Sequence, residues 1–140
     1  MTAPSPPGAG PVQLRFTALP EHVRTARLVT TAVARRTGLD DTALEGVRLA
    51  VGEACSRAVQ RTEASTASGG GADLVALDLR LEGGALVVEV RDGAGAEDVA
   101  GDDVGLLLME GLADAVAVTD GAGGPGGCVR LTWRLPPSSS

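Results

Sequence analysis

Leu49-Ala-Val-Gly-Glu-Ala-Cys-Ser-Arg-Ala-Val59 is the stretch whose periodicity decides the fold. Counting from Leu44 at ~100° per residue, Val47, Val51, Ala54, Cys55 and Ala58 share roughly a third of a helical circumference, while Glu53, Ser56, Arg57 and Gln60 point elsewhere. The spacing predicts a helix with one buried stripe. Glu53 falls opposite that stripe, and Arg57, one turn on, lies beside it toward the rim. Alone, the two make an i, i+4 Glu–Arg contact on a solvated face, worth about 0.2–0.5 kcal/mol. The sequence on either side gives them a second meaning.

The 140 residues are 44% apolar, enough for one core and too few for two domains. All twelve basic residues are arginine, and alanine and glycine are abundant, as a GC-rich, for example actinobacterial, coding genome would produce. A net charge of -6 without an arginine cluster argues against nucleic-acid and anionic-membrane binding and favours basic protein partners. Cys55 and Cys128 have neither a disulfide-framework count nor metal-ligand spacing and are expected to be buried free thiols. His22 has no companion at ligand spacing and is expected to be solvated, so no metal site is assigned. The start, Met1-Thr-Ala-Pro-Ser-Pro-Pro-Gly8, lacks the charge and apolar run of a signal peptide, and no apolar run reaches ~18 residues. The expectation is a cytoplasmic, soluble protein.

Residues 1–11 read as a disordered Pro/Gly arm, 12–135 as the domain, and 136–140 as a frayed tail. Val12–Thr17 alternates as a strand; a helix opens at Pro20 and runs to about Arg36, ended by Gly38. Asp40-Asp-Thr42 offers caps for the next helix, expected to run to about Arg61, with 62–72 a flexible connection. Leu74–Leu81 and Ala85–Arg91 alternate around Glu82-Gly-Gly84 and read as a β-hairpin. An aperiodic segment over 92–104 leads to a short buried helix, Gly105 to about Ala113. A strand over 115–119, a glycine-rich connection over 120–127 and a last strand over 128–135 follow. The order predicts a mostly antiparallel sheet with helices on one face, an α/β two-layer sandwich.

That order and its local motifs resemble the GHKL superfamily of histidine kinase-like ATPases, with their Bergerat-like fold, and most closely its small anti-sigma-factor serine/threonine kinase branch. Pro20-Glu-His-Val23 is similar to the start of the first helix there. Glu53-Ala-Cys-Ser-Arg57-Ala58 matches Glu-Ala-x-x-Asn-Ala except at the asparagine. Val90-Arg-Asp92-Gly-Ala-Gly95 matches in part Val-x-Asp-x-Gly-x-Gly. Asp103-Val-Gly105-Leu-Leu-Leu-Met109 matches Gly-x-Gly-Leu-x-Leu-Met, with Leu112-Ala-Asp114 after it, and Gly126-Gly-Cys128-Val129 stands near a Gly-Gly-Thr-x-Val motif.

The resemblance implies roles. Glu53 corresponds to the general base, Arg57 to the asparagine that holds Mg²⁺ against the triphosphate, and Asp92 to the acceptor of the adenine amino group. The glycines 93, 95 and 105 belong to backbone that cradles phosphates. Four positions depart. Arg57 is a donor-only cation and cannot ligate Mg²⁺. Ala94 stands where a glycine is expected, although Gly93 and Gly95 could shift the register. Asp103 would bring a carboxylate toward polyphosphate at a cost of about 1–4 kcal/mol. Cys128 replaces a hydroxyl with a weak thiol donor. The expected function is therefore an anti-sigma-factor-like regulator that binds a sigma factor, an anti-anti-sigma factor or both. Its ATP and Mg²⁺ binding would be impaired or lost, with Arg57 and Asp103 paired across the pocket. The alternative is an active ATP-binding serine/threonine kinase that phosphorylates the anti-anti-sigma factor, Arg57 gripping phosphate directly. An isolated histidine-kinase ATPase domain ranks third. Val23, Arg24, Ala26, Arg27, Val33, Arg35 and Arg36 make the first helix the candidate interaction surface, and a homodimer is left open.

Overall fold

The computed structural model describes residues 11–67, 73–94, 103–119 and 126–137. β1 (Val12–Thr17) is followed by α1 (Pro20–Arg35) and α2 (Asp41–Ala67), then by the hairpin β2 (Leu74–Glu82) and β3 (Ala85–Arg91). The chain ends in α3 (Asp103–Leu112), β4 (Ala115–Thr119) and β5 (Cys128–Arg134). One five-stranded sheet runs β1-β2-β3-β5-β4, antiparallel at every pairing. With the helices layered on it, this is the expected α/β two-layer sandwich. α2 packs over the central strands, α1 beside it toward β1, and α3 on the other flank against α2 and β4.

Local chemistry explains each boundary. Pro20 at the first position of α1 gives up an N–H that has no partner there, and Gly38, at φ 89°, lets the chain turn out of that helix. Asp40 caps α2 by accepting the Ala43 N–H at 2.8 Å. Gly83 and Gly84 both have positive φ, 59° and 77°, which the two-residue type I′ hairpin turn requires.

The alternating strands put Phe16, Val75, Leu77, Leu79, Leu86, Val88, Val90, Val129, Leu131 and Trp133 against the helices. Each fully buried leucine contributes about 1.5–3 kcal/mol by leaving water. Trp133 closes one end of this core by donating its Nε1–H to the Leu112 carbonyl at 2.9 Å.

Four expectations change. α2 continues six residues past Arg61 to Ala67, because Thr62 and Ser65 turn inward; the Thr62 hydroxyl donates to the Ala58 carbonyl at 2.7 Å and so needs no solvent. α3 forms but is not buried: Val104, Leu107 and Leu108 are 69%, 67% and 51% exposed, and only the face with Gly105 and Met109 meets the core. His22 is half-buried beside Phe16, ring centroids 6.2 Å apart, rather than solvated. Cys55 is buried, and burial pushes its thiol up to about 12, but Cys128 at the start of β5 is only half-buried. The expected disordered arm over 1–10, flexible connection over 68–72, aperiodic segment over 95–102, glycine-rich connection over 120–125 and tail over 138–140 lie outside the described residues. Among the described residues no helix is long and apolar enough to cross a membrane.

Candidate functional site

Residues four apart on a helix share a row, and α2 places Glu53, Arg57 and Arg61 along one. The row runs from the groove shared with α1 to the end of β3. At its far end Arg61 enters the protein. Its Nε donates to Asp92 Oδ2 at 3.0 Å and its Nη2 to Asp92 Oδ1 at 3.4 Å, and the side chains are 4% and 3% exposed. Nη2 also donates to the Ala94 carbonyl at 3.3 Å. A planar guanidinium facing both oxygens of a carboxylate is the strongest geometry available to such a pair.

Asp92 is engaged on every side. Besides the arginine, its Oδ1 accepts the N–H of Ala94 at 3.0 Å and that of Gly127 at 3.1 Å. Its own N–H donates to the Gly127 carbonyl at 3.0 Å, and the Gly126 N–H donates to the Ala94 carbonyl at 3.1 Å. The end of β3, the 92–94 turn and the entry to β5 are thus joined, with Arg61 tying all three to α2.

The two glycines follow from this closure. A Cβ on Gly127 would stand 2.8 Å from Arg61 Nη2, and one on Gly126, whose φ is 100°, would stand 2.5 Å from the Asp92 carbonyl oxygen. Gly127 thus makes room for Arg61, and Gly126 for the Asp92 backbone.

The other expected site residues are spread over the neighbouring surface. Glu53 is half-buried and lines a groove of about 540 Å³ between α1 and α2, with Pro20, Val23, Arg24, Arg27 and Val59. Arg27 lies across Gly52 there, so close that a Cβ on the glycine would sit 2.6 Å from Arg27 Cδ. Arg57 is half-buried one turn beyond Glu53. Gly93 follows Asp92 in the turn, and Gly105 is buried in the first turn of α3. Cys128 pairs with Arg91 in the β3–β5 register; burial raises its thiol pKa against an Arg91 contact that lowers it. Gly95 and the Asp103 side chain lie outside the described residues, and the suggested Arg57–Asp103 pair with them. Among the described residues an arginine–acid pair joins Arg61 to Asp92.

Arg57, matched to the metal-holding asparagine, has no lone pair for Mg²⁺. Asp92, the residue matched to adenine recognition, spends both oxygens on internal donors. Sequence reasoning missed Arg61 because it took that residue as the end of the helix. The signal that could have found it was its place four residues after Arg57, on the row that leads to Asp92.

A family model described as histidine kinase-like ATPase domain matches residues 16–133. Among solved structures, the chain is similar to the crystal structure of the RsbU and RsbW domains of Rv1364c from Mycobacterium tuberculosis, at 22% identity and a TM-score of 0.69. The similarity covers 91% of this chain and 32% of that one, and at this identity it is a likeness of fold. No curated protein matches significantly.

Proposed function

This chain belongs to the histidine kinase-like ATPase domain family, and from that premise we propose that it is an anti-sigma-factor-like regulator acting by protein binding, with its ATP binding impaired or lost. The observation that carries the proposal is the Arg61–Asp92 pair. A nucleobase that donates its amino group to Asp92 must displace a buried guanidinium, and separating a buried pair costs about 3–5 kcal/mol when one charge is left unpartnered. Arg57 adds a second obstacle, a cation where the family's metal-holding asparagine belongs. The clasp made by Arg61 joins α2 to the end of β3 and, through Asp92, to the entry of β5, all with the chain's own groups.

The motif order of residues 20–129 and the fold likeness to a structure containing an RsbW domain support the anti-sigma-factor branch. The partners in this proposal are a sigma factor, an anti-anti-sigma factor or both, docking at the α1–α2 groove. There Arg24 and Arg27 alternate with Glu53 and Glu63 around Val23, Leu49 and Val59. Such a mix of opposite charges around an apolar floor suits a protein segment and selects its register.

Glu53 alone favours the second reading, a working serine/threonine kinase, because the family's general base is retained. Thermal melts separate the two. A specific ligand stabilises by RT ln(1+[L]/Kd), about 2.7 kcal/mol at a hundredfold excess over Kd. The regulator shows no shift with millimolar-range Mg-ATP, with or without EDTA, on the order of a thousand times a micromolar Kd. The kinase shows a Mg-dependent shift and transfers phosphate to its antagonist.

A further inference from the structure

β1 is the outermost strand on the α1 side of the sheet, paired among the described residues with β2 alone, from Val12↔Leu79 to Thr17↔Leu74. Its free edge opens into a groove of about 370 Å³, lined on the strand side by Leu14, Arg15, Phe16 and Thr17 and on the helix side by His22 and Thr25 of α1. Consecutive strand residues point to opposite faces, so a groove that touches four in a row runs along the backbone edge itself. Such an edge presents N–H and C=O groups that an extended chain can pair with.

The side chains around it divide by face. Leu14 and Phe16 turn toward the helical layer, where His22 lies beside the Phe16 ring, and Arg15 and Thr17 turn to the open face of the sheet. Arg15 is exposed, stands opposite Ala76 in the β1–β2 ladder, and makes no hydrogen bond or ion pair among the described residues. The lining holds this cation and His22 and no acid, in a chain whose net charge is -6. An arginine with no acid opposite it on one side keeps its favourable cross-strand pair for the strand that arrives on the other.

The chain's own segments are poor candidates for that strand. Residues 1–10, which precede β1, contain no acid and have prolines at 4, 6 and 7, which remove N–H groups that a ladder needs. A copy of β1, Val-Gln-Leu-Arg-Phe-Thr, has no acid to offer either and would bring a second Arg15.

We propose that the β1 edge and the first turns of α1 bind an extended segment of another protein in which an acidic residue stands between two apolar ones, added to the sheet as a sixth strand. Alternation dictates that order. With the carboxylate beside Arg15 on the open face, the residues before and after it turn to the helical side, next to Leu14 and Phe16 and against the wall of His22 and Thr25. Main-chain hydrogen bonds supply the affinity, and these alternate side chains select the segment. The groove shares no lining residue with the one between α1 and α2, so the inference stands apart from the partners proposed there.

Fluorescence anisotropy of a labelled peptide, Thr-Thr-Val-Glu-Val-Thr-Thr, titrated with the full chain to about 1 mM tests it. The glutamate peptide saturates, and the same peptide with lysine at its centre binds more weakly by about fivefold or more. Arg15→Glu reverses that preference; the site is exposed, and circular dichroism confirms that the variant folds. N-methylation of one alternate set of peptide amides, those that face β1, abolishes binding, and methylation of the other set leaves it intact. A glutamate peptide that does not bind overturns the proposal, and so does binding that Arg15→Glu leaves unchanged. Binding that survives both methylation patterns overturns it as well, by showing that the peptide is not held as a strand.

Discussion

Two sets of arginine–carboxylate pairs hold this sheet, and they behave oppositely. On the outer face of β2, β3 and β5, Glu89 accepts from Arg80 at 2.7 Å and from Arg91 at 3.1 Å, while Glu82 accepts from Arg80 at 2.7 Å and from Arg130 at 3.4 Å. Arg80, Glu82, Glu89 and Arg91 each have more than one partner there, and all but the buried Glu89 have water nearby. At the end of β3 Arg61 meets Asp92 with almost no water. The outer ladder can lose a member and repair itself. The inner pair is costlier to break, because a buried charge that loses its counter-charge has little solvent to turn to. Redundancy separates the surface network from the buried pair.

The largest expected effect that sharpens this contrast is that of Asp92→Ala, which takes the carboxylate away from the buried Arg61 guanidinium. It should cost about 3–5 kcal/mol in urea denaturation, where removing one exposed pair would cost at most about 1. Glu89→Gln should cost about 1–2 kcal/mol, since its two arginines keep other acids, Glu82 and Asp78, within reach.

Glu89 also makes the ladder sensitive to acid. The hydrogen bond from Arg80, helped by the charges of Arg80, Arg91 and Arg130 against the penalty of burial, holds its carboxyl below the usual glutamate range. A folded-state pKa below the unfolded one gives stability that is complete above the unfolded value, about 4.3, and disappears as pH falls through the folded value. Wild type should therefore lose more stability than Glu89→Gln as pH falls below about 4, measured as the difference in melting temperature.

Glu45→Ala, which removes the exposed i, i+3 contact with Arg48, should change stability by less than about 0.5 kcal/mol. Smallest of all should be the loss from the double replacement Arg61→Met with Asp92→Leu. Removing both buried charges together is commonly neutral or stabilising, whereas removing one is not. A double variant as unstable as Asp92→Ala would show that the backbone contacts of Asp92 hold this corner and that the ion pair does not.

How the site was read follows the same division between local and distant contacts. The strands, the hairpin turn at Gly83-Gly84 and the starts of α1 and α2 were legible because each depends on neighbours within a few residues: alternation, a proline, an aspartate cap, two positive-φ glycines. The end of α2 was not. Thr62 and Ser65 read as polar connection until β-sheet and helix close over them and the backbone takes up a hydroxyl. The exposed face of α3 misled for the converse reason, since an apolar sequence states a need for cover and does not say which molecule supplies it.

By itself, then, the sequence determined the two-layer antiparallel architecture, the order of its elements and the family to which the chain belongs, because periodicity and turn chemistry are local. It also marked Asp92 and the α2 row as the place where chemistry would be decided. Only the tertiary structure decided that Arg61, 31 positions away, occupies that aspartate, and that Gly127 leaves room for the arginine. A charge pair across that separation leaves no periodic trace. Its geometry exists once the sheet has brought β3 and β5 to the end of α2 and excluded the water that would otherwise have solvated both charges.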